Sequence, residues 1–229
     1  MTTPVVVWGS GGHARELREL VDDVNAARPA FELLGFLDDD AGRHGLVVDG
    51  LPVLGGIEWL RRLDRSAGAV IGVGAPASRR RVALALEAEG VRSPVPVHPT
   101  AQVSRRAVLG EGCVVPALAQ LSTSVTLGRH VHLNLGASVS HDCRIDDFGT
   151  LAPGARLSGA VVLGEGCNVG VGAVVLPGVT VGAWSIVGAG AVVTRDVERD
   201  CTAVGVPARI VKRRPHGWHR APRESAGGA

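Results

Sequence analysis

The residues best equipped for chemistry are Ser140, His141 and Asp142, with Asn134 a short way upstream. An imidazole has a reference pKa of about 6.5, so near neutral pH it can take a proton from an attacking nucleophile. A neighbouring carboxylate can hold one ring nitrogen and leave the other free as the acceptor. That is the equipment of a general base. A solvated histidine at a turn would present the same residues, and it stands as the competing reading. A zinc site is a third, because His130, His132 and His141 lie close together in the chain, and zinc takes three or four ligands that converge on one point.

A second group lies near the start. Val5-Val6-Val7-Trp8 reads as a buried strand, Gly9-Ser10-Gly11-Gly12-His13 as the turn after it, and Ala14, Leu17, Leu20, Val21 and Val24 recur at helical spacing. Such a turn aims free backbone N–H groups from a helix N-terminus, where partial positive charge favours a phosphate. Gly9, Gly11 and Ala14 also satisfy G-x-G-x-x-A, the mark of dinucleotide sites. However, about ninety residues precede the next domain, room for one mononucleotide half and not two. The favoured ligand is a nucleoside diphosphate, with Asp38 or Asp39 at the end of the next strand accepting hydrogen bonds from ribose or base. A glycine turn that merely packs a helix onto a strand is the alternative.

These groups need elements to hold them. Over residues 103–193 every sixth residue is aliphatic, from Val103, Leu109 and Val115 through Leu151 and Leu157 to Val187 and Val193. Helices and ordinary strands space apolar residues by 3.6 and 2, so neither gives a period of six. A short strand followed by a turn does, and three such sides close one coil of a parallel β-helix. Small residues such as Ala107, Cys113, Ala137, Cys143 and Cys167 stand two places before the inward aliphatic, which reads those three cysteines as buried thiols; Cys201 lies outside the repeat. His141 falls two places after inward Val139, at a corner facing outward. His130 and His132 straddle Val131, neither is one coil from His141, and the zinc ligands therefore converge poorly.

Before the prism come a strand ending near Asp39, a short helix near 57–63, a strand at 69–74, a helix over 78–89 and a strand at 91–97, a small α/β unit. The proline-rich joint 93–99 marks a boundary. The expected domains are 1–96, Rossmann-like and nucleotide-binding; 97–211, the β-helix; and 212–229, a basic tail in which Lys212, Arg213 and Arg214 either meet phosphates or stay solvated.

Composition limits the function. Hydrophobic residues are 45% and charged residues 20%, as in a globular chain, and aromatics are only 3%, as a narrow Val/Leu/Ile prism requires. A net charge of +2 supplies no field for nucleic acid. No apolar run is long enough to span a bilayer, and the start lacks a basic, cleavable leader, so a cytoplasmic location is expected.

Taken together, Gly9-Ser10-Gly11-Gly12-His13, Leu37-Asp38-Asp39, His98-Pro99-Thr100-Ala101, Ser140-His141-Asp142-Cys143 and Val204-Gly205-Val206-Pro207-Ala208-Arg209 resemble the hexapeptide acyltransferases of the sialic acid and bacillosamine type, over nearly the whole chain. The resemblance implies a left-handed β-helix, a homotrimer and acetyl-CoA bound between subunits, while the poor convergence of the histidines leaves no metal expected. It implies His141 as base, Asp142 as its orienting acid and Asn134 beside them. It further implies backbone N–H groups of Gly159 for the oxyanion and of Gly159, Val171 and Ala189 for acetyl-CoA, with Gly11, Gly12, His13, Asp38, Asp39 and Gly74 contacting a nucleotide-linked amino sugar. N-acetylation of that sugar is the leading expectation, O-acetylation of a sialic acid-like sugar the nearest alternative, and a non-catalytic sugar-binding scaffold a third. Two departures stand out: Thr150 follows Asp147-Phe148-Gly149 where relatives often carry histidine, and Gly74-Ala75-Pro76 replaces a Gly-Asn-Asn or Gly-Asp-Asn run.

Overall fold

The computed structural model describes residues 2–62 and 66–220. The first unit is a sheet of five strands, β1 (Thr3–Trp8), β2 (Phe31–Leu37), β3 (Val47–Val48), β4 (Leu51–Gly55) and β5 (Gly68–Ile71), in the order β3-β4-β2-β1-β5. All pairs are parallel except β3 with β4. Helix α1 (Gly12–Ala27) follows β1 and α2 (Pro76–Ala88) follows β5. Because side chains alternate along a strand, Val7 packs with Leu17 and Leu20 under α1 while Val6 and Trp8 pack with Val82 and Leu86 under α2. The strand order reverses between β1 and β5, and the crevice at their carboxyl ends is where open α/β sheets bind ligands.

Residues 102–193 wind as a left-handed β-helix of two-residue strands joined by turns. Each strand pairs in parallel with the equivalent strand of the next coil, His132 with Thr150 and Thr150 with Asn168. Three sheets result: a first side holding His132–Leu133 and Thr150–Leu151, a second holding Ser138–Val139 and Arg156–Leu157, and a third holding Arg144–Ile145 and Val162–Leu163. The sixfold aliphatic column fills the interior, with Leu133, Ile145, Leu151 and Leu163 fully buried; each such side chain contributes about 1.5–3 kcal/mol. Cys113, Cys143 and Cys167 are buried free thiols whose Sγ atoms donate to carbonyls of the next turn.

Two expected boundaries shift. Residues 91–97 form no strand, only isolated bridges from Arg92 to Gly68 and from Val97 to Val115, because Pro94 and Pro96 cannot donate to a ladder. The expected tail does not begin at 212: Arg209–Arg213 is a strand paired antiparallel with Cys201–Val204, which buries Cys201. Arg213 pairs with Glu198, Arg214 bonds Thr202 and stacks over Trp218, and His219 lies flat on Trp184 with ring centroids 3.6 Å apart. Leu63 and the tail expected over 221–229 lie outside the described residues.

The first unit sits on the first side of the prism. Phe148 joins the core beneath α2 and Val114 the core beneath α1. His130 stacks on Phe148 at 5.5 Å, and the fully buried His132 places Nδ1 3.3 Å from His13 Nε2.

Candidate active site

His141 leaves the second side and precedes the third, so it stands at the corner between them. Its Nδ1 lies 2.9 Å from Asp142 Oδ2. A carboxylate only accepts, so Nδ1 carries the proton and Nε2 presents its lone pair outward. The backbone is pinned as well: Ala160 N donates to His141 O at 2.9 Å, and Asp142 N to Thr123 O at 3.1 Å. One coil on, Gly159 lies so close beneath the ring that a Cβ there would fall 2.5 Å from His141 Cε1. Among the described residues the N–H groups of Gly159, Val171 and Ala189 donate to no backbone carbonyl in the turns, so they are free for a ligand. Cys143, next to the dyad, points into the prism, and burial pushes its thiol pKa up. That disfavours a covalent thiol route.

Asn134 follows the first side and precedes the second, a different corner. Its Nδ2 donates to Leu151 O at 2.9 Å, leaving Oδ1 as an acceptor. With His13, Glu16, Asp23, His98, Leu135 and Pro153 it lines a cavity of about 290 Å³ between α1 and the prism. His13 Nδ1 lies 3.0 Å from Glu16 Oε2. By the same tautomer argument Nδ1 donates there, and His13 Nε2 accepts from His132 Nδ1. His98 accepts from Thr100 N at Nδ1 and faces Asp23 through Nε2. Val171 and Ala189 share the Asn134 corner, and Leu135 and Val171 stand there 55% exposed each. One chain therefore gathers His141, Asp142 and Gly159 at one corner and Asn134, His13, Val171 and Ala189 at another.

The glycine turn forms as expected, and its neighbours show how it is held. Asp38 Oδ2 accepts from Ser10 N at 2.9 Å and from Ser10 Oγ, Asp38 Oδ1 accepts from Asp40 N, and Arg43 Nη2 donates to Ser10 O at 2.9 Å. Asp38 thus shapes the turn. Asp39 faces the crevice with Trp8, Ser78 and Arg81, its pKa raised by burial and by Asp38. Gly11 and Gly12 have open space where a Cβ would stand, and Gly74 lies near the His13 ring. Gly11→Val should accordingly leave the melting temperature within a degree or two yet reduce nucleoside-diphosphate affinity at least tenfold by calorimetry, since the added branches occupy the path of a phosphate to the helix N-terminus. Unchanged affinity would mean that the turn only packs.

Sequence reasoning missed Arg79, the burial of His132 against His13, and the stacking of His219 on Trp184. Arg79 had a signal, its helical spacing with buried Val82, Ala83 and Leu86; His132 had none, because all three outward faces of a prism look alike in sequence. Burial, with Arg79 second, lowers the pKa of His130 to about 4 and that of His132 well below the usual range. Both are neutral when folded. The unfolded chain binds their protons below about 6.5, so their contribution is full above that pH and is lost as pH falls from there, that of His130 down to about 4. Melting temperature should drop across this window, by an amount equivalent to a few kcal/mol; a flat profile would contradict neutral burial. With His130 and His132 buried under the first unit and His141 on a far corner, the three do not converge, and among the described residues no group of three or more metal-ligating side chains is assembled.

Residues 4–86 match the PglD N-terminal domain family, and residues 160–195 match the bacterial transferase hexapeptide repeats. The chain is 32% identical over 215 residues to a GDP-perosamine N-acetyltransferase of Escherichia coli O157:H7, covering 91% of this chain and 96% of that one. It belongs to the acetyl-CoA-dependent hexapeptide-repeat sugar acetyltransferases. Among solved members of this fold, the acetyltransferase domain of PglB from Neisseria gonorrhoeae in complex with acetyl-CoA superposes with a TM-score of 0.84 at 34% identity, over 92% of this chain and all of that one. A histidine-to-alanine mutant of GDP-perosamine N-acetyltransferase from Caulobacter crescentus, in complex with CoA and GDP-perosamine, gives 0.82 at 34% identity over 90% and 96%. Among the described residues of this family member, no helix is long and apolar enough to cross a membrane.

Proposed function

We propose that the protein transfers the acetyl group of acetyl-CoA to the amine of a nucleotide-linked amino sugar, within a homotrimer. The observation that carries the reading is the His141–Asp142 dyad over Gly159 in a chain that is similar over 90–91% of its length to GDP-perosamine N-acetyltransferases. The glycine turn holds the diphosphate at the N-terminus of α1, and the sugar extends toward the cavity of His13 and Asn134.

His141 stands on a different corner of the same chain, which supports the trimer. A threefold arrangement brings the His141 corner of one subunit against the Asn134 corner of the next, covers exposed Leu135 and Val171, and leaves the N–H groups of Val171 and Ala189 to the acetyl-CoA arm. A protonated amine has no lone pair, so a base must take a proton as attack proceeds. The amine nitrogen bonds to the thioester carbon, Nε2 of His141 receives the proton, and the Gly159 N–H faces the resulting oxyanion. Collapse breaks the C–S bond, and the proton passes from His141 to the departing thiolate sulfur. Charge on the imidazolium is offset by Asp142.

Thiol release from acetyl-CoA, followed with GDP-, UDP- and dTDP-linked amino sugars, tests the reading, alongside light scattering for the assembly. Turnover with one amino sugar by a species of three chains is the expected result. Turnover with free sialic acids alone would make the enzyme an O-acetyltransferase, and none with any sugar would leave a binding scaffold.

A further inference from the structure

Among the described residues Arg79 is the largest fully buried side chain, with 0% exposure, and its hydrogen-bond partners include no carboxylate. Its guanidinium spends its donors on oxygens from both domains. On one side Nη1 donates to Val73 O at 3.1 Å and Gly74 O at 2.8 Å, in the loop between β5 and α2. On the other, Nε donates to His130 O at 3.0 Å, and Nη2 to Phe148 O at 2.8 Å, Gly149 O at 3.2 Å and Thr150 Oγ1 at 2.7 Å. Two successive coils of the prism and the ligand-side loop of the sheet are thus tied to one rigid planar fork.

A buried cation is costly, and a leucine at this place would pack beside Val82 and Leu86 without that cost. What an apolar side chain lacks is direction. The guanidinium presents five N–H groups in fixed geometry, so the oxygens it binds are held at fixed separations, whereas apolar contact allows sliding. The loop so held includes Gly74, near the His13 ring, and borders the crevice of Asp39 and Arg81.

We infer that Arg79 is a positioning residue, a clamp that sets how far the nucleotide-binding unit reaches over the prism, and with it where the acceptor amine arrives relative to the thioester. Thr150 is its receiver. The departure from histidine at that position supplies a short hydroxyl that accepts from Nη2, with Arg79 filling the space above it. The inference rests on the acetyltransferase reading for its catalytic consequence but not for the clamp itself.

Arg79→Lys keeps the charge and removes the fork, and Thr150→Val keeps the volume and removes one acceptor. A clamp predicts that kcat per folded enzyme falls at least tenfold in Arg79→Lys and at least threefold in Thr150→Val, while the Kd values for acetyl-CoA and for the free nucleoside diphosphate stay within twofold. Amide hydrogen exchange follows the clamp without turnover. Exchange at 73–75 and 148–150 should rise together in both variants while the strands of both cores stay protected. Values of kcat within twofold of wild type in both variants would overturn the positioning role. Unchanged exchange at the two segments, or acceleration throughout both cores, would overturn the clamp. Should Arg79→Lys fail to fold, Thr150→Val carries the same measurements. Absence of turnover in the wild type would reject the acetyltransferase reading alone, with the exchange data still deciding the clamp.

Discussion

Replacing His141 with alanine is expected to lower turnover by about 10²–10⁴-fold, the usual contribution of a positioned general base, with little change in melting temperature or in acetyl-CoA affinity. The imidazole is 60% exposed and touches no core, and exposed substitutions generally stay within about 0.5 kcal/mol. The loss therefore belongs to chemistry. Asp142→Asn separates the partner's role: the amide can donate as well as accept, so it no longer fixes the proton on Nδ1, and turnover should fall by less than in His141→Ala. Raising the pH should restore little to His141→Ala, because hydroxide cannot reproduce a base held in place. Turnover within threefold of wild type would remove His141 from the mechanism.

Gly159→Ala should be nearly as damaging, for a steric reason. The new Cβ would stand 2.5 Å from His141 Cε1 and 2.6 Å from Nε2, well inside van der Waals contact. The ring can swing outward, so the fold survives, but the move breaks its bond to Asp142 and displaces Nε2 by about an ångström. Misplacement of that size costs on the order of 10²-fold in rate. kcat should fall by that factor with thermal stability nearly unchanged, and a crystal structure should show the imidazole rotated. Gly159→Ala with normal kcat would mean either that the ring is not the base or that it is repositioned by the bound substrates. The single variant His141→Ala distinguishes these, since a normal Gly159→Ala alongside a dead His141→Ala leaves only repositioning.

What the sequence could and could not determine follows from the range of the forces involved. The prism was legible because each coil repeats the same local problem, one inward aliphatic and one small neighbour at a turn, and the repetition makes the signal accumulate along the chain. The first unit was legible from period-2 and period-3.6 patterns and from a glycine turn whose backbone needs are local. The dyad was legible because His141 and Asp142 are adjacent in the chain. Only tertiary structure decided which outward face the first unit covers, since the three faces are equivalent by sequence; that choice buries His130 and His132, turns His13 toward Asn134 and gives Arg79 its acceptors. It also showed that Asn134 and His141 occupy different corners, a consequence of the winding of the coils rather than of any residue type. Sequence thus determined the parts and their local chemistry, and the long-range packing of one domain on one face of a three-sided prism determined which of those parts meet.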